Sequence, residues 1–193
     1  SSDFLRDNWQ LITLERLFQQ FFGQSLYKAI YSIEGNENRM IFLTEQVERM
    51  TGLKDFGKYL NKLFTIDALF LNEDRHTHNI AVLMNSDGKF GYCPIFDNGA
   101  GLLSDIQMDY PLGEDLYEQI HLVRAKTICQ DFDEQLDTSE KLYGGNLKFH
   151  FTKQDVEKLL EQVNIYSEDI KIRVENILFE QMRRYQYLFT REV

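Results

Sequence analysis

The sequence is poor in the residues that mark several large classes of protein. Its 193 residues include two prolines and two cysteines, Cys93 and Cys129. Two cysteines are too few for a disulfide framework and suit a reducing cytosol. The scarcity of proline argues against long disordered segments, and no apolar run approaches the roughly 20 residues of a membrane-spanning helix. We therefore expect an ordered cytoplasmic protein with no membrane partner.

Positive charge is also scarce. The chain has 21 Lys and Arg against 31 Asp and Glu, which gives a formal net charge of −10. A surface of this sign repels phosphate backbones, so we expect no direct nucleic-acid partner. This net charge still permits a local basic patch, or a nucleotide that is bound through a metal ion.

The hydrophobic pattern predicts a mainly α fold with a small central β-hairpin. A strand at 80–84, a turn at 85–88 and a returning strand at 90–96 form the hairpin. Apolar residues at helical spacing surround it, whereas residues 102–113 look irregular and residues 131–150 are ambiguous. The predicted helices are 8–22, 25–33, a helix capped by Thr44 that ends near Gly52, 53–71, 114–129, Thr152 to about Val163 with a capping box, and 167–189.

Two polar loops flank the predicted hairpin. The first contains Asp74 and Asn79 in an Asp-x-x-x-x-Asn spacing, and the second is Asp97-Asn98-Gly99. Because one precedes and the other follows the hairpin, we expect them to lie close together. Phosphoryl transfer needs a carboxylate for the attacking hydroxyl and oxygen ligands for Mg²⁺, which is what these loops offer.

The Asp-x-x-x-x-Asn spacing alone does not show whether these loops are catalytic. The Asp-x-x-x-x-Asn spacing also occurs at Asp3/Asn8 and at Asp67/Asn72. We set the second of these aside because Asp67 should lie within a helix. A literal Asp-Phe-Gly at 55–57 precedes the Asp74 loop and falls near a helix start, so we treat it as a decoy. Two hydrophilic turns around a hairpin would produce the same pattern without any catalysis.

The residues around the two loops resemble a known family. The segment from Phe70 to Ile80, which contains Asn-Glu-Asp-Arg-His-Thr-His-Asn, is similar to the N-x-D-R-H-x-x-N catalytic loop of HipA-like kinases. Residues 94–102 resemble the metal-binding segment that follows it in bacterial members. Phosphoinositide 3/4-kinases share D-R-H-x-x-N and D-x-G, so the motif indicates a kinase superfamily better than a substrate. The close match covers roughly residues 65–105.

The resemblance implies roles for three residues of the first loop. Asp74 would be the catalytic base and His76 would brace the loop. Arg75 would either position the loop or face phosphate. The reaction implied is transfer of the ATP γ-phosphoryl group to a protein serine or threonine.

The same resemblance implies a nucleotide and metal site. Asn79 and Asp97 would be Mg²⁺ ligands, and together with Gly99 they would hold the nucleotide. The cofactors expected are therefore ATP and Mg²⁺.

The resemblance also implies that part of a kinase is missing. The residues before Asp74 are predicted to be helical, and they contain no glycine-rich phosphate loop and no lysine in a predicted strand. We therefore expect residues 1–193 to be a single kinase-like C-lobe, inactive without an N-lobe. The expected partners are a protein substrate and an N-lobe segment or partner chain, and an antitoxin protein is an open alternative.

Three other functions stay open. A phosphoinositide-kinase-like lipid kinase fits the motif, although the net charge gives little support for binding anionic lipid. A non-catalytic kinase-like module would fit the missing N-lobe. Finally, His76 and His78 with Asp74 resemble a metal-dependent hydrolase site, because imidazole and carboxylate bind Zn²⁺ or Mn²⁺.

Overall fold

The computed structural model describes residues 8–190 as helices arranged around a small antiparallel sheet. Asp3 of the Asp3/Asn8 match lies outside the described residues. The strands are β1 (Trp9–Thr13), β2 (Ala81–Asn85) and β3 (Phe90–Tyr92). The helices are α1 (Leu14–Phe22), α2 (Leu26–Tyr31), α3 (Asn36–Thr51), α4 (Phe56–Phe70), α5 (Leu116–Leu122), α6 (Phe132–Tyr143), α7 (Lys153–Gln162) and α8 (Glu168–Arg184), and a 3₁₀ turn follows at Gln186–Leu188.

The sheet contains the predicted hairpin and one strand that the sequence did not predict. β2 and β3 pair antiparallel, with Val82 opposite Tyr92, around a turn in which Gly88 has φ 75°. β1 adds to the other edge of β2, with Thr13 opposite Ala81. The prediction of a helix from residue 8 was wrong for β1, because the free edge of β2 supplies hydrogen-bond partners that periodicity cannot reveal.

Several predicted helix boundaries also need correction. α3 begins at Asn36, so Thr44 lies inside the helix rather than at its cap. The helix predicted at 114–129 is limited to α5. Residues 131–150, for which the sequence pattern was ambiguous, contain α6. The capping box is confirmed, since Thr152 Oγ1 accepts from Asp155 N while the Asp155 carboxylate accepts from Thr152 N.

α4 is the central helix of the core. It packs against α3, α6 and α8 and buries most of its apolar residues. The glycine near its start has a packing reason, because a Cβ on Gly57 would lie 2.5 Å from the Tyr143 ring. The loop that follows α4 therefore starts from a rigid support.

Residues 8–190 contain no helix with both the length and the apolar character needed to cross a bilayer.

Candidate functional site

The first polar loop begins where α4 ends. Leu71 takes a left-handed conformation with φ 52°, and the chain turns so that Asn72 N donates to Asp67 O at 2.9 Å. The Asn72 side chain also donates to the Asp67 carboxylate at 2.9 Å. The Asp67/Asn72 match therefore has a structural use, because it fixes the start of the loop on the buried end of the helix.

Arg75 holds this loop from within the protein. Its side chain is 1% exposed and pairs with the fully buried Asp67, with Nε 3.0 Å from Oδ2 and Nη2 3.0 Å from Oδ1. Burial raises the pKa of Asp67, and the Arg75 guanidinium opposes that rise. A buried charge needs such a partner, since either residue alone would be strongly destabilising.

The remaining donors of Arg75 join the two polar loops. Nη1 donates to Asn79 O at 2.9 Å and to Phe96 O at 2.6 Å, and Nη2 also donates to Asn98 Oδ1 at 2.5 Å. All five N–H groups of the guanidinium are thus used within the protein. Of the two roles considered for Arg75, the geometry fits positioning and leaves no donor for a phosphate.

Asp74 lies at the partly exposed side of the same loop. Its Oδ2 accepts from Asn79 Nδ2 at 3.1 Å, and its backbone carbonyl accepts from the same nitrogen at 2.8 Å. Its Oδ1 lies 3.3 Å from His76 Nε2, and the Asp74 side chain remains 43% exposed. Asp74 is therefore oriented by two neighbours but is still open to an incoming hydroxyl group.

The second loop presents Asp97 to solvent. Asp97 has φ 53°, a left-handed conformation that aspartate tolerates better than most residues, and it is exposed. The residues on either side, Phe96 and Asn98, are the ones bound by Arg75. The backbone of this loop is thus anchored while the Asp97 carboxylate accepts no hydrogen bond from residues 8–190.

The donor atoms left free are suited to a hard cation. Asn79 uses its amide nitrogen on Asp74, so its Oδ1 has no hydrogen-bond donor among the described residues. Mg²⁺ is bound through one or two protein oxygens, with water and substrate phosphates completing its shell. The Asn79 and Asp97 oxygens are donors of this chemical type. In contrast, no group of three or more His, Cys, Asp or Glu residues suitable for a metal occurs in the described part of the chain, so the hydrolase alternative gains no support.

A buried glutamate supports the first loop from its other side. Glu15, on α1, accepts from Thr77 Oγ1 at 2.6 Å and from the Leu26 and Tyr27 amides at the start of α2. The backbone N–H of Glu15 donates to Thr77 O at 3.1 Å. Burial by itself would raise the pKa of Glu15, but hydrogen bonds, including those from Thr77 and Tyr27, outweigh it, and the pKa is lowered overall.

A further contact reaches the residue before the candidate base. Tyr110 donates its hydroxyl to Glu73 Oε2 at 2.9 Å. Burial, with Glu73 as the next cause, raises the pKa of Tyr110. The irregular segment after the second loop is therefore attached to the first.

Sequence reasoning missed Glu15 and Thr127 as supports of the site. Thr127 donates its hydroxyl to the Arg75 carbonyl from more than fifty positions along the chain. A carboxylate in the first turn of a helix and a threonine in a predicted helix are both ordinary, so neither carried a signal. The Asp67/Asn72 spacing, set aside above because Asp67 should lie within a helix, contains the carboxylate that anchors Arg75.

The completed geometry can be compared with known proteins. The structure is similar to the crystal structure of CtkA, a proinflammatory kinase of Helicobacter pylori, with a TM-score of 0.64 and 18% sequence identity. The match covers 94% of this chain and 70% of that chain. The sequence matches no protein-family model and no curated protein. At this level of identity, the similarity bears on the fold alone and says nothing about the substrate.

Proposed function

We propose that this chain is the catalytic C-lobe of a HipA-type, ATP-dependent phosphotransferase that acts on protein serine or threonine. The observation that carries the proposal is the joining of the two polar loops by Arg75, which holds Phe96 and Asn98 beside Asn79. The loops that carry Asp74 and Asp97 are thus attached to each other through Arg75. The kinase-like fold supplies the context in which such an arrangement has a use.

In the proposed reaction Asp74 acts on the acceptor hydroxyl. The hydroxyl oxygen forms a bond to the γ-phosphorus of ATP, the bond from that phosphorus to the β,γ-bridging oxygen breaks, and the hydroxyl proton passes to the Asp74 carboxylate. Asn79 and His76 hold this carboxylate through its two oxygens. When bound, Mg²⁺ would neutralise phosphate charge at the Asn79 and Asp97 oxygens.

The choice of a protein acceptor follows from charge. A phosphoinositide site should present a basic face to an anionic membrane surface, whereas this chain has a net charge of −10. A protein acceptor has no such requirement. We therefore retain protein serine or threonine as the proposed acceptor, with an N-lobe segment or partner chain needed for full activity.

The test separates the roles of the two carboxylates. Asp74→Asn should lower phosphoryl transfer by about 10²–10⁴-fold, the usual cost of losing a general base, with little change in Mg-ATP affinity. Asp97→Asn should weaken Mg-ATP binding itself. Radiolabel transfer from ATP, measured on the chain together with its N-lobe, and calorimetric titration with Mg-ATP give the two readouts.

Asp87 supplies a matched control. It is an exposed aspartate in the turn at the opposite end of the same hairpin. Asp87→Asn should leave both transfer and affinity close to those of the unmodified protein. Near-normal transfer by Asp74→Asn would overturn the assignment of the base. An equal loss of nucleotide affinity in the Asp74 and Asp97 variants would instead make Asp74 a metal ligand.

A further inference from the structure

A groove adjoins the second polar loop. Residues 101–106, α7 and α8 enclose a mainly apolar cavity of about 330 Å³. Its wall is continuous with the candidate site, because Ser104 Oγ donates to Gly99 O at 2.9 Å and Leu102 N donates to Phe70 O at 2.7 Å. The lining is dominated by aliphatic side chains, among them Leu103, Ile106 and Val174.

The groove continues between α7 and α8. A second cavity of about 460 Å³ shares Leu160 and Lys171 with the first. Two large side chains of this surface remain open to solvent, since Tyr166 and Ile172 are each 54% exposed. An apolar pocket with exposed large side chains at its edge is typical of an interaction site. We call the two cavities together the α7–α8 groove.

The rim of the groove is acidic. It carries the carboxylates of Glu157, Glu161, Glu168 and Glu175 against one ammonium group, that of Lys171. Lys171 is already paired with Glu168 at 2.9 Å. Arg173 in the wall donates to Tyr110 O at 2.9 Å and to Gln119 Oε1 at 2.7 Å, which are neutral acceptors. Even when its positive charge is counted with that of Lys171, four carboxylates against two cations leave the groove with a net charge of −2.

We propose that the α7–α8 groove docks a basic amphipathic segment of a protein partner. Apolar side chains of the segment would enter the cavity beside Leu103 and Tyr166, and lysine or arginine residues would face the Glu157 and Glu161 carboxylates. The rim favours this occupant by charge complementarity and disfavours an anionic membrane or a nucleic acid. That the segment belongs to the phosphoacceptor rests on the proposed function, whereas the docking itself does not.

Direct binding tests the proposal independently of catalysis. The probe is a fluorescein-labelled peptide of Lys-Leu-Leu-Lys repeats, titrated with the full chain and followed by fluorescence anisotropy. Peptides of Lys-Ser-Ser-Lys and Glu-Leu-Leu-Glu repeats separate the contributions of charge and apolar surface. We expect the Lys-Leu-Leu-Lys peptide to bind at least about 10-fold more tightly than either, because each control removes one kind of complementarity.

Two charge-reversal pairs localise the binding. Glu157→Lys with Glu161→Lys changes exposed residues of the rim and should weaken binding about 10-fold, because two attractions become repulsions. Glu45→Lys with Asp137→Lys makes the same change in net charge at exposed positions of α3 and α6, outside the groove. This control pair should alter the dissociation constant by less than about 2-fold if binding is local.

A third variant tests the apolar surface. Tyr166→Ser removes an exposed ring from the groove and should weaken binding of the Lys-Leu-Leu-Lys peptide while leaving the thermal transition in place. An equal loss of affinity in the two charge-reversal pairs would overturn the proposal, as would equal binding of the Lys-Ser-Ser-Lys peptide. If peptide binding follows the expected pattern but no phosphoryl transfer is found, the proposed function fails and the docking site stands.

Discussion

Replacing Arg75 by lysine is the most demanding test of how the two loops are joined. The substitution keeps a positive charge beside Asp67, so the buried carboxylate retains a counter-ion. It removes the planar fork that reaches Asp67, Asn79, Phe96 and Asn98 at once, since a lysine ammonium cannot span these directions. The variant therefore isolates the connection between the loops from the charge pair.

The magnitude follows from the contacts that are lost. The three hydrogen bonds to Asn79, Phe96 and Asn98 are the ones a lysine cannot keep while it pairs with Asp67. At about 1 kcal/mol each, their loss lowers the free energy of unfolding by about 3 kcal/mol. For a chain of 193 residues this corresponds to a fall in melting temperature of about 6–12 °C.

Thermal unfolding followed by circular dichroism measures this change directly. Arg49→Lys, at an exposed position of α3, is the matched control and should move the melting temperature by no more than about 1 °C. Hydrogen exchange should show faster opening of residues 96–100 in Arg75→Lys, at temperatures where α4 stays protected. A melting temperature close to that of the Arg49 control would refute the role assigned to the guanidinium.

Two further predictions concern the supports of the site. The fold lowers the pKa of Glu15 from its ordinary value of 4.5. The ionised carboxylate therefore stabilises the fold above that pH, and this contribution is lost as the pH falls through the folded pKa. The difference in melting temperature between the unmodified protein and Glu15→Gln should shrink between neutral pH and about pH 3, and a constant difference would contradict the role of the ionised carboxylate. Gly101→Ala should lower the free energy of unfolding by about 1–3 kcal/mol in urea titrations, because overpacking is costly and the new Cβ would lie 2.9 Å from Phe70 O. Gly99→Ala, which meets nothing within 4 Å, is its control, and equal effects of the two substitutions would count against a close approach at Gly101.

The sequence was most informative where one element determines its own structure. The apolar run of α4, the β2–β3 hairpin and the Thr152 capping box are local patterns, and each was predicted near its observed position. β1 was missed because a strand at an edge depends on its neighbour. The predicted return strand to residue 96 ends at Tyr92, two residues before Pro94, which has no amide hydrogen to donate to a β ladder. Phe96 O accepts instead from Arg75.

In the candidate site, too, local features could be predicted from the sequence and contacts between distant residues could not. The positions of the two loops followed from their place around the hairpin, and Asp74, His76, Asn79 and Asp97 could be named from the motif. The partners of Arg75 could not, because they come from α4, the second loop and Thr127, which are distant in sequence. The prediction of a helix through residue 129 was wrong after α5, and this also involves a contact that is distant in sequence. The chain leaves the helix after α5, and the Thr127 hydroxyl donates to the Arg75 carbonyl.

The central claim is that both polar loops serve one metal–nucleotide site, and paramagnetic NMR with Mn²⁺ and ATP as the probe tests it most directly. Because Mn²⁺ broadens only nearby amide signals, the method also detects a weakly bound metal–nucleotide complex. We predict that added Mn²⁺–ATP broadens the amide signals of Asn79 and Asn98 together, spares that of Asp87, and loses its effect in Asp97→Asn. Broadening confined to His76 and His78, or unchanged in Asp97→Asn, would contradict a shared site.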